Sequence, residues 1–170
     1  TSDGELEKKM KLYRDHGMSK ERRYYHEVVG FNYRMTNLQA AIGVAQLENI
    51  EETLKWREEL ENSYRERLKD IDGIELQRND LPDRKKIAWL VTAYTQNEEM
   101  RNDCMNAMVE ANIDARPFFI PLSEMEIYKK YVFSNRVSTE ISKKGFNLPT
   151  SYIVGEKEVD RVVEALKTVV

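Results

Sequence analysis

A single cysteine, Cys104, gives this chain of 170 residues no partner for an internal disulfide. Two histidines, His16 and His26, and that one thiol are too few and too widely spaced to write a zinc-type ligand set. No apolar run approaches the roughly 18–20 residues that a bilayer-spanning helix needs, and no signal-peptide pattern is read at the start. A soluble, cytoplasmic protein without membrane contact is expected. Charge of one sign is also missing: 27 basic residues are interspersed with 30 acidic ones, for a net charge of −3 and a pI near 5.6. Nucleic-acid binding rests on clustered Lys and Arg neutralising phosphates, so that balance argues against it. Standard catalytic sets are lacking as well, since there is no G-x-x-x-x-G-K cradle, no G-x-S-x-G elbow, no H-E-x-x-H and no nucleophile with a base beside it. What remains open is anion recognition.

The most informative stretch is Gly30–Leu47, GFNYRMTNLQAAIGVAQL. Thr36-Asn37-Leu38-Gln39 is a capping box, which predicts a helix beginning at about Asn37. Ala40, Ala41, Gly43 and Ala45 keep its early surface small, so another backbone can approach closely. Asn32 and Arg34 stand a few residues before that capped N-terminus, where free N–H groups and the positive end of the helix dipole favour a phosphate. An amide donor and a guanidinium would complete such a site. The same residues also read as Arg34 paired to a nearby carboxylate, with Asn32 in a turn.

At this length one compact domain is expected, residues 1–170, with 1–72 mainly helical and 73–170 a small α/β layer. Asp3 can cap a first helix carrying Leu6, Met10 and Tyr13 on one face and ending near His16-Gly17. From Met18 to Val29 no period is visible, and Lys20, Arg22, Arg23, Tyr24, Tyr25 and His26 suggest either a binding loop or a solvated connector. Leu47, Ile50, Leu54, Leu60, Tyr64, Leu68 and Ile71 then form an apolar stripe, predicting one long helix or two nearly collinear ones up to Asp72-Gly73. Short strand Ile74–Gln77, longer strand Ile87–Thr95, helix Asn97–Asn112 and strand Ile113–Ile120 follow, with Pro117 marking an edge or strand end. Ser123–Glu126 is a second capping box and predicts a short helix through about Tyr131. Another helical turn or two at Ser138–Lys144, an extended Phe146–Pro149 and a last helix from about Glu156 to Thr168 complete the chain. The expected fold class is α/β (α+β): long helices and a small sheet with helices on one side. Cys104 falls on the buried stripe of its helix and reads as a core thiol.

Arg116-Pro117-Phe118-Phe119 is the second candidate site. An arginine followed by two aromatics at a strand end can offer charge and a stacking face to a phosphorylated, ring-containing ligand. Two core aromatics beside a surface arginine are the plainer account. Strand alternation puts only one phenylalanine in the core, and the other needs cover.

The run HGMSKERRYYHEVVGFNYRMTNLQAAIGVAQLENI resembles the stretch after the cofactor lysine in the DegT/DnrJ/StrS sugar-nucleotide aminotransferases. DARPFFIPLSEMEIY and GFNLPTSYIVGEKEVDRVVEAL resemble that family's substrate segment and final helix, in the same order. RPFF followed by P-L-S is most like the perosamine-synthetase branch. The resemblance implies the C-terminal small domain of a fold-type-I enzyme using pyridoxal 5'-phosphate (PLP), acting as a homodimer in cell-surface polysaccharide or antibiotic sugar biosynthesis. Its substrates would be a nucleotide-linked keto sugar and an amino donor, glutamate. Asn32 and Arg34 would match positions facing the cofactor phosphate and the sugar-nucleotide site of the neighbouring subunit, with Tyr33 beside them on the substrate. Arg116 and Phe118 would match the substrate-lining segment. Many relatives carry histidine where Ser123 stands, so that contact is not carried over. The family's Schiff-base lysine and its ring-nitrogen aspartate lie upstream of the matched segment, and none of this chain's lysines stands in the Ser-containing lysine motif. An inactive C-terminal piece, with no catalytic residue of its own, is therefore expected. The alternative is a non-enzymatic dimerising interaction or regulatory module.

Overall fold

The computed structural model describes residues 1–131 and 136–170. Its contacts group into two compact units, residues 1–50 and 51–170, each described by itself below.

The first unit holds α1 (Gly4–Arg14) and α2 (Asn37–Glu48). Asp3 caps α1 by accepting from the Glu5 and Leu6 amides. The Thr36 box is formed as expected: Thr36 Oγ1 accepts from the Gln39 amide at 3.3 Å, and Gln39 Oε1 accepts from the Thr36 amide at 2.9 Å. Helix α2 ends at Asn49, and the expected stripe is divided between α2 and the separate α3 (Ile50–Leu68). Between α1 and α2 the expected loop folds back on itself. Asp15 pairs with Asn32 and Met18 with His26 as antiparallel bridges, and the Phe31 and Tyr33 amides donate to the Tyr13 and Arg14 carbonyls. The polar residues of this stretch therefore have backbone partners that no periodicity reveals.

Two glycines make that fold-back possible. Gly17 has φ +69°, and a Cβ there would lie 2.0 Å from the Val28 carbonyl oxygen. A Cβ on Gly30 would lie 2.0 Å from the Gly17 amide nitrogen. Gly30→Ala is accordingly expected to part the two strands. Hydrogen exchange should show the Phe31 and Tyr33 amides losing protection while residues of the second unit keep theirs. Unchanged protection would overturn this account of Gly30.

In the second unit β1 (Ile74–Leu76), β2 (Thr92–Thr95), β3 (Arg116–Pro117) and β4 (Gly145–Asn147) form one antiparallel sheet in the order β1-β2-β4-β3. Pro117 lies on an edge strand, where its missing N–H costs no ladder bond. Register places Ala93 opposite both Leu76 and Phe146. Those residues face a core completed by Leu60, Tyr64 and Leu68 of α3, Cys104 and Met108 of α4 (Glu98–Glu110) and Val159, Val162, Val163 and Leu166 of α6 (Glu156–Lys167). The other face carries Glu75, Tyr94, Asn147 and Arg116 by the same alternation. Burial pushes the Cys104 thiol up to about 11, in keeping with a core thiol, and pushes the Tyr64 phenol well above its ordinary range.

Three elements are shorter than the sequence pattern suggests. Of Ile87–Thr95 only Thr92–Thr95 is strand, because the preceding carbonyls and amides bond elsewhere. The Ala88 and Trp89 carbonyls accept from Arg57 Nη1 at 3.1 and 3.0 Å, and the Val91 amide donates to Thr150 Oγ1 at 3.1 Å. The strand expected over Ile113–Ile120 pairs only at Arg116–Pro117. The helix expected from Ser123 is two 3₁₀ turns, Leu122–Glu124 and Glu126–Tyr131, interrupted where Met125 is extended at φ −80°, ψ 130°. Helix α5 (Arg136–Lys144) follows the described gap.

Candidate functional site

The expected site residues fall into both units. In the first, Phe31-Asn32-Tyr33-Arg34 runs antiparallel to the end of α1 and its cap Asp15, which the left-handed pair His16 (φ +59°) and Gly17 follows. That pairing sets Arg34 beside Asp15, with Nη1 donating to Oδ2 at 3.2 Å. The carboxylate partner considered from sequence is thus present, although the guanidinium remains 64% exposed. Asn32 is bridged through its backbone to Asp15. Tyr33 stacks on Phe31 with centroids 5.1 Å apart, and Phe31 meets Tyr13 at 6.4 Å. These rings, with Met10 and Arg14, line a concavity of about 920 Å³. In the preceding loop the arginines lie over tyrosine rings, Arg22 on Tyr25 at 5.0 Å and Arg23 on Tyr24 at 4.8 Å.

In the second unit Arg116 of β3 and Phe118 just beyond it alternate onto the same side but do different things. The Arg116 side chain is 80% exposed at a groove of about 600 Å³ that Trp89, Phe119, Asn147, Thr150 and Arg161 also line. Phe118 lies over Gly145, where a Cβ would come within 2.3 Å of the ring, and it lines a separate hollow with Leu122 and Ile141. Phe119 finds its cover in Trp89, with ring planes 11° apart and centroids 6.3 Å apart. Sequence reasoning missed Trp89, Asn147 and Thr150. Trp89 falls inside the strand expected over Ile87–Thr95, and a large aromatic just before the observed strand Thr92–Thr95 is the available signal. The loop at the groove floor is held from inside: Tyr64 Oη donates to the Pro149 carbonyl at 2.9 Å, and Thr150 Oγ1 donates to the Leu148 carbonyl at 2.8 Å.

Among the described residues no group of three or more His, Cys, Asp and Glu is placed to hold a metal ion, and no helix is long and apolar enough to cross a membrane. The lysines with carboxylate partners are mostly half or more exposed. Lys86 is the enclosed exception, with its Nζ 2.7 Å from Glu61.

The fold matches about half the length of sugar aminotransferase structures. PseC of Helicobacter pylori, an aminotransferase involved in the biosynthesis of pseudoaminic acid, superposes with a TM-score of 0.83 at 22% identity, over 99% of this chain and 47% of that one. DesV of S. venezuelae, solved in complex with a ketimine intermediate, does so with a TM-score of 0.78 at 24% identity, over 99% and 45%. Residues 1–167 match the model of the DegT/DnrJ/EryC1/StrS aminotransferase family, and the chain belongs to that family. Among curated relatives it is 34% identical to a GDP-perosamine synthase of Caulobacter vibrioides, over 99% of this chain and 46% of that protein. A GDP-perosamine synthase of Vibrio cholerae is 31% identical over 98% and 46%. The chain thus spans about half the length of the curated relatives it matches.

Proposed function

We propose that this chain is the C-terminal part of a PLP-dependent aminotransferase that moves an amino group from glutamate to a keto sugar carried on a nucleotide, in the manner of a perosamine synthase, in the cytoplasm. The observation that carries the reading is the likeness to GDP-perosamine synthases along 99% of the chain, which takes in both the Asn32–Arg34 turn and the Arg116–Phe119 strand end. A cofactor phosphate needs positive charge and N–H donors. Arg34, exposed and with one carboxylate partner, keeps guanidinium N–H groups free for an anion, and Asn32 adds an amide on the same short strand. These two fit the phosphate. A carbonyl-trapping amine is a different requirement, best met by a desolvated lysine without an anionic partner, and Lys86, tied to Glu61, does not meet it.

When bound, PLP supplies the carbonyl that carries the amino group and the ring that accepts electron density. Asn32 and Arg34 grip its phosphate, Tyr33 orients the sugar, Arg116 attracts the nucleotide's phosphates and Phe118 shields the substrate from water. Helix α2 supports a homodimer in the whole enzyme. Its Leu38, Ile42, Val44 and Leu47 are all exposed around a small-residue surface, an arrangement that calls for another polypeptide surface.

Incubated with PLP, the purified chain is expected to give no protein-bound absorbance band and no amino transfer. Fused behind the N-terminal half of the Caulobacter GDP-perosamine synthase, it is expected to give both, using glutamate and a GDP-linked keto sugar. A borohydride-fixed PLP adduct on a lysine of this chain would overturn the assignment, as would an assembled, PLP-loaded fusion without transfer activity.

A further inference from the structure

A cavity of about 570 Å³ lies between α3 and the segment 79–88, and it shares no lining residue with the groove at Arg116. Four cations line it. Three are answered by carboxylates: Lys86 by Glu61 at 2.7 Å, Arg84 by Asp83 at 2.6 Å and, more loosely, Lys85 by Glu58 at 3.8 Å. Arg57 is the fourth. Its Nη1 donates to the Ala88 and Trp89 carbonyls at 3.1 and 3.0 Å, and its guanidinium carbon lies 5.3 Å from the Trp56 ring centre, so the group is oriented from two sides. Among the described residues no carboxylate pairs with it and nothing accepts from its Nε–Nη2 edge. That edge is the one by which Arg78 grips Asp80, at 3.0 and 3.1 Å, and Arg84 grips Asp83. It presents two parallel N–H donors at the spacing of a carboxylate. Neither nitrogen is shut in without a partner, as Arg65 Nε and Arg101 Nε are, so a ligand can reach them. The cavity also has an apolar wall of Leu54, Leu81, Pro82 and Ile87, of which Leu81 is 38% and Ile87 61% exposed.

From this arrangement we infer that the cavity binds a small monocarboxylic acid with a hydrocarbon body, the carboxylate on the Arg57 Nε–Nη2 edge and the hydrocarbon against Leu81 and Ile87. Its volume lies within the usual range of small-molecule sites. The neighbours set the charge of the ligand. Glu61 is already neutralised by Lys86 and Arg65, which leaves one guanidinium to match one negative charge. A phosphate dianion would carry a surplus charge facing Glu58. Because Arg57 also holds the Ala88 and Trp89 carbonyls, an occupied cavity bears on the segment that carries Trp89 into the other groove. The site goes beyond the aminotransferase reading and does not depend on it.

The test is a titration of the isotope-labelled 170-residue chain with isocaproate, followed by amide resonances and by calorimetry. Isocaproate is expected to move the amides of Trp89 and Leu90, which share peptide groups with the two carbonyls held by Arg57, and to leave those of Phe31 and Tyr33 in place. Three comparison compounds should each bind about 10-fold or more weakly: isocaproamide for want of charge, acetate for want of a hydrocarbon body and inorganic phosphate for its surplus charge. Arg57→Gln should weaken isocaproate binding by about 10- to 150-fold. Ile87→Glu, at an exposed position, should weaken it severalfold by setting a like charge beside the carboxylate. Arg57→Gln also gives up charged bonds to two carbonyls, so trypsin cleavage at Arg84 and Lys85 reports whether the segment stays in place. Ile87→Glu keeps those bonds and carries the test if it does not. Isocaproate affinity unchanged in both variants would overturn the inference, as would no binding by the folded chain or equal binding of any comparison compound. An inactive fusion would remove the aminotransferase reading and leave this site as it is.

Discussion

Replacing Phe146 by alanine is expected to lower the stability of the second unit by about 3–5 kcal/mol, the largest single effect foreseen in this chain. Phe146 is fully buried on β4, an inner strand of the sheet, between Ala93 on β2 and Pro117 on β3. Ala93 opposite it is small, so the ring occupies space that no neighbouring side chain can reach when it is removed. The loss therefore combines the transfer of an aromatic group to water with a cavity that cannot collapse. Urea unfolding followed by intrinsic fluorescence measures it. Phe118→Ala is the matched comparison, since Phe118 is half-buried on the opposite face over Gly145, and about 1–2 kcal/mol is expected there. Equal losses at the two positions would contradict the placement of the core.

Glu61→Ala is expected to cost about 3 kcal/mol and to free the segment from residue 77 to 86. Glu61 is 6% exposed on α3 and holds two cations, Arg65 Nη2 at 2.5 Å and Lys86 Nζ at 2.7 Å. Arg65 also reaches the Gln77 carbonyl, so one carboxylate ties both ends of that segment to the helix. Removing it leaves two partly buried charges without their counterion, which costs more than the pair itself contributes. Trypsin provides a second reading, because Arg84 and Lys85 lie in the tethered segment and are mostly exposed. Cleavage there should accelerate in Glu61→Ala and stay slow in Glu59→Ala, whose carboxylate makes only an exposed ion pair with Lys55. Unchanged cleavage would show that the tether does not hold the segment.

Helix ends and buried stripes were legible because they depend on neighbours within a few residues. The Thr36–Gln39 box sets the start of α2, and Val159, Val162, Val163 and Leu166, at helical spacing on α6, are all in the core. Strand lengths were not legible. Whether Ile87–Val91 joins a ladder depends on Arg57, some thirty residues earlier, taking its carbonyls. The site shows the same division. Asn32, Tyr33 and Arg34 stand out as donors and a ring beside a capped helix, but the clasp that sets Arg34 against Asp15 depends on Gly17 and Gly30 sharing space too small for a Cβ. Arg116 and the two phenylalanines are visible as a trio, yet their separation, Phe118 over Gly145 and Phe119 against Trp89, follows from strand alternation and from a neighbour in another segment.

By itself the sequence determined the family, the capped starts of α1 and α2, the core placement of Cys104 and the chemistry available for an anion: guanidinium, amide and aromatic face. All of these are fixed by residue identity and short-range spacing. Only the tertiary structure decided the strand order, the clasp at Asp15 and the open groove that brings Trp89 beside Phe119 and Arg116. Those outcomes turn on which distant groups satisfy each buried N–H and C=O, and that competition is settled only when the whole chain is packed.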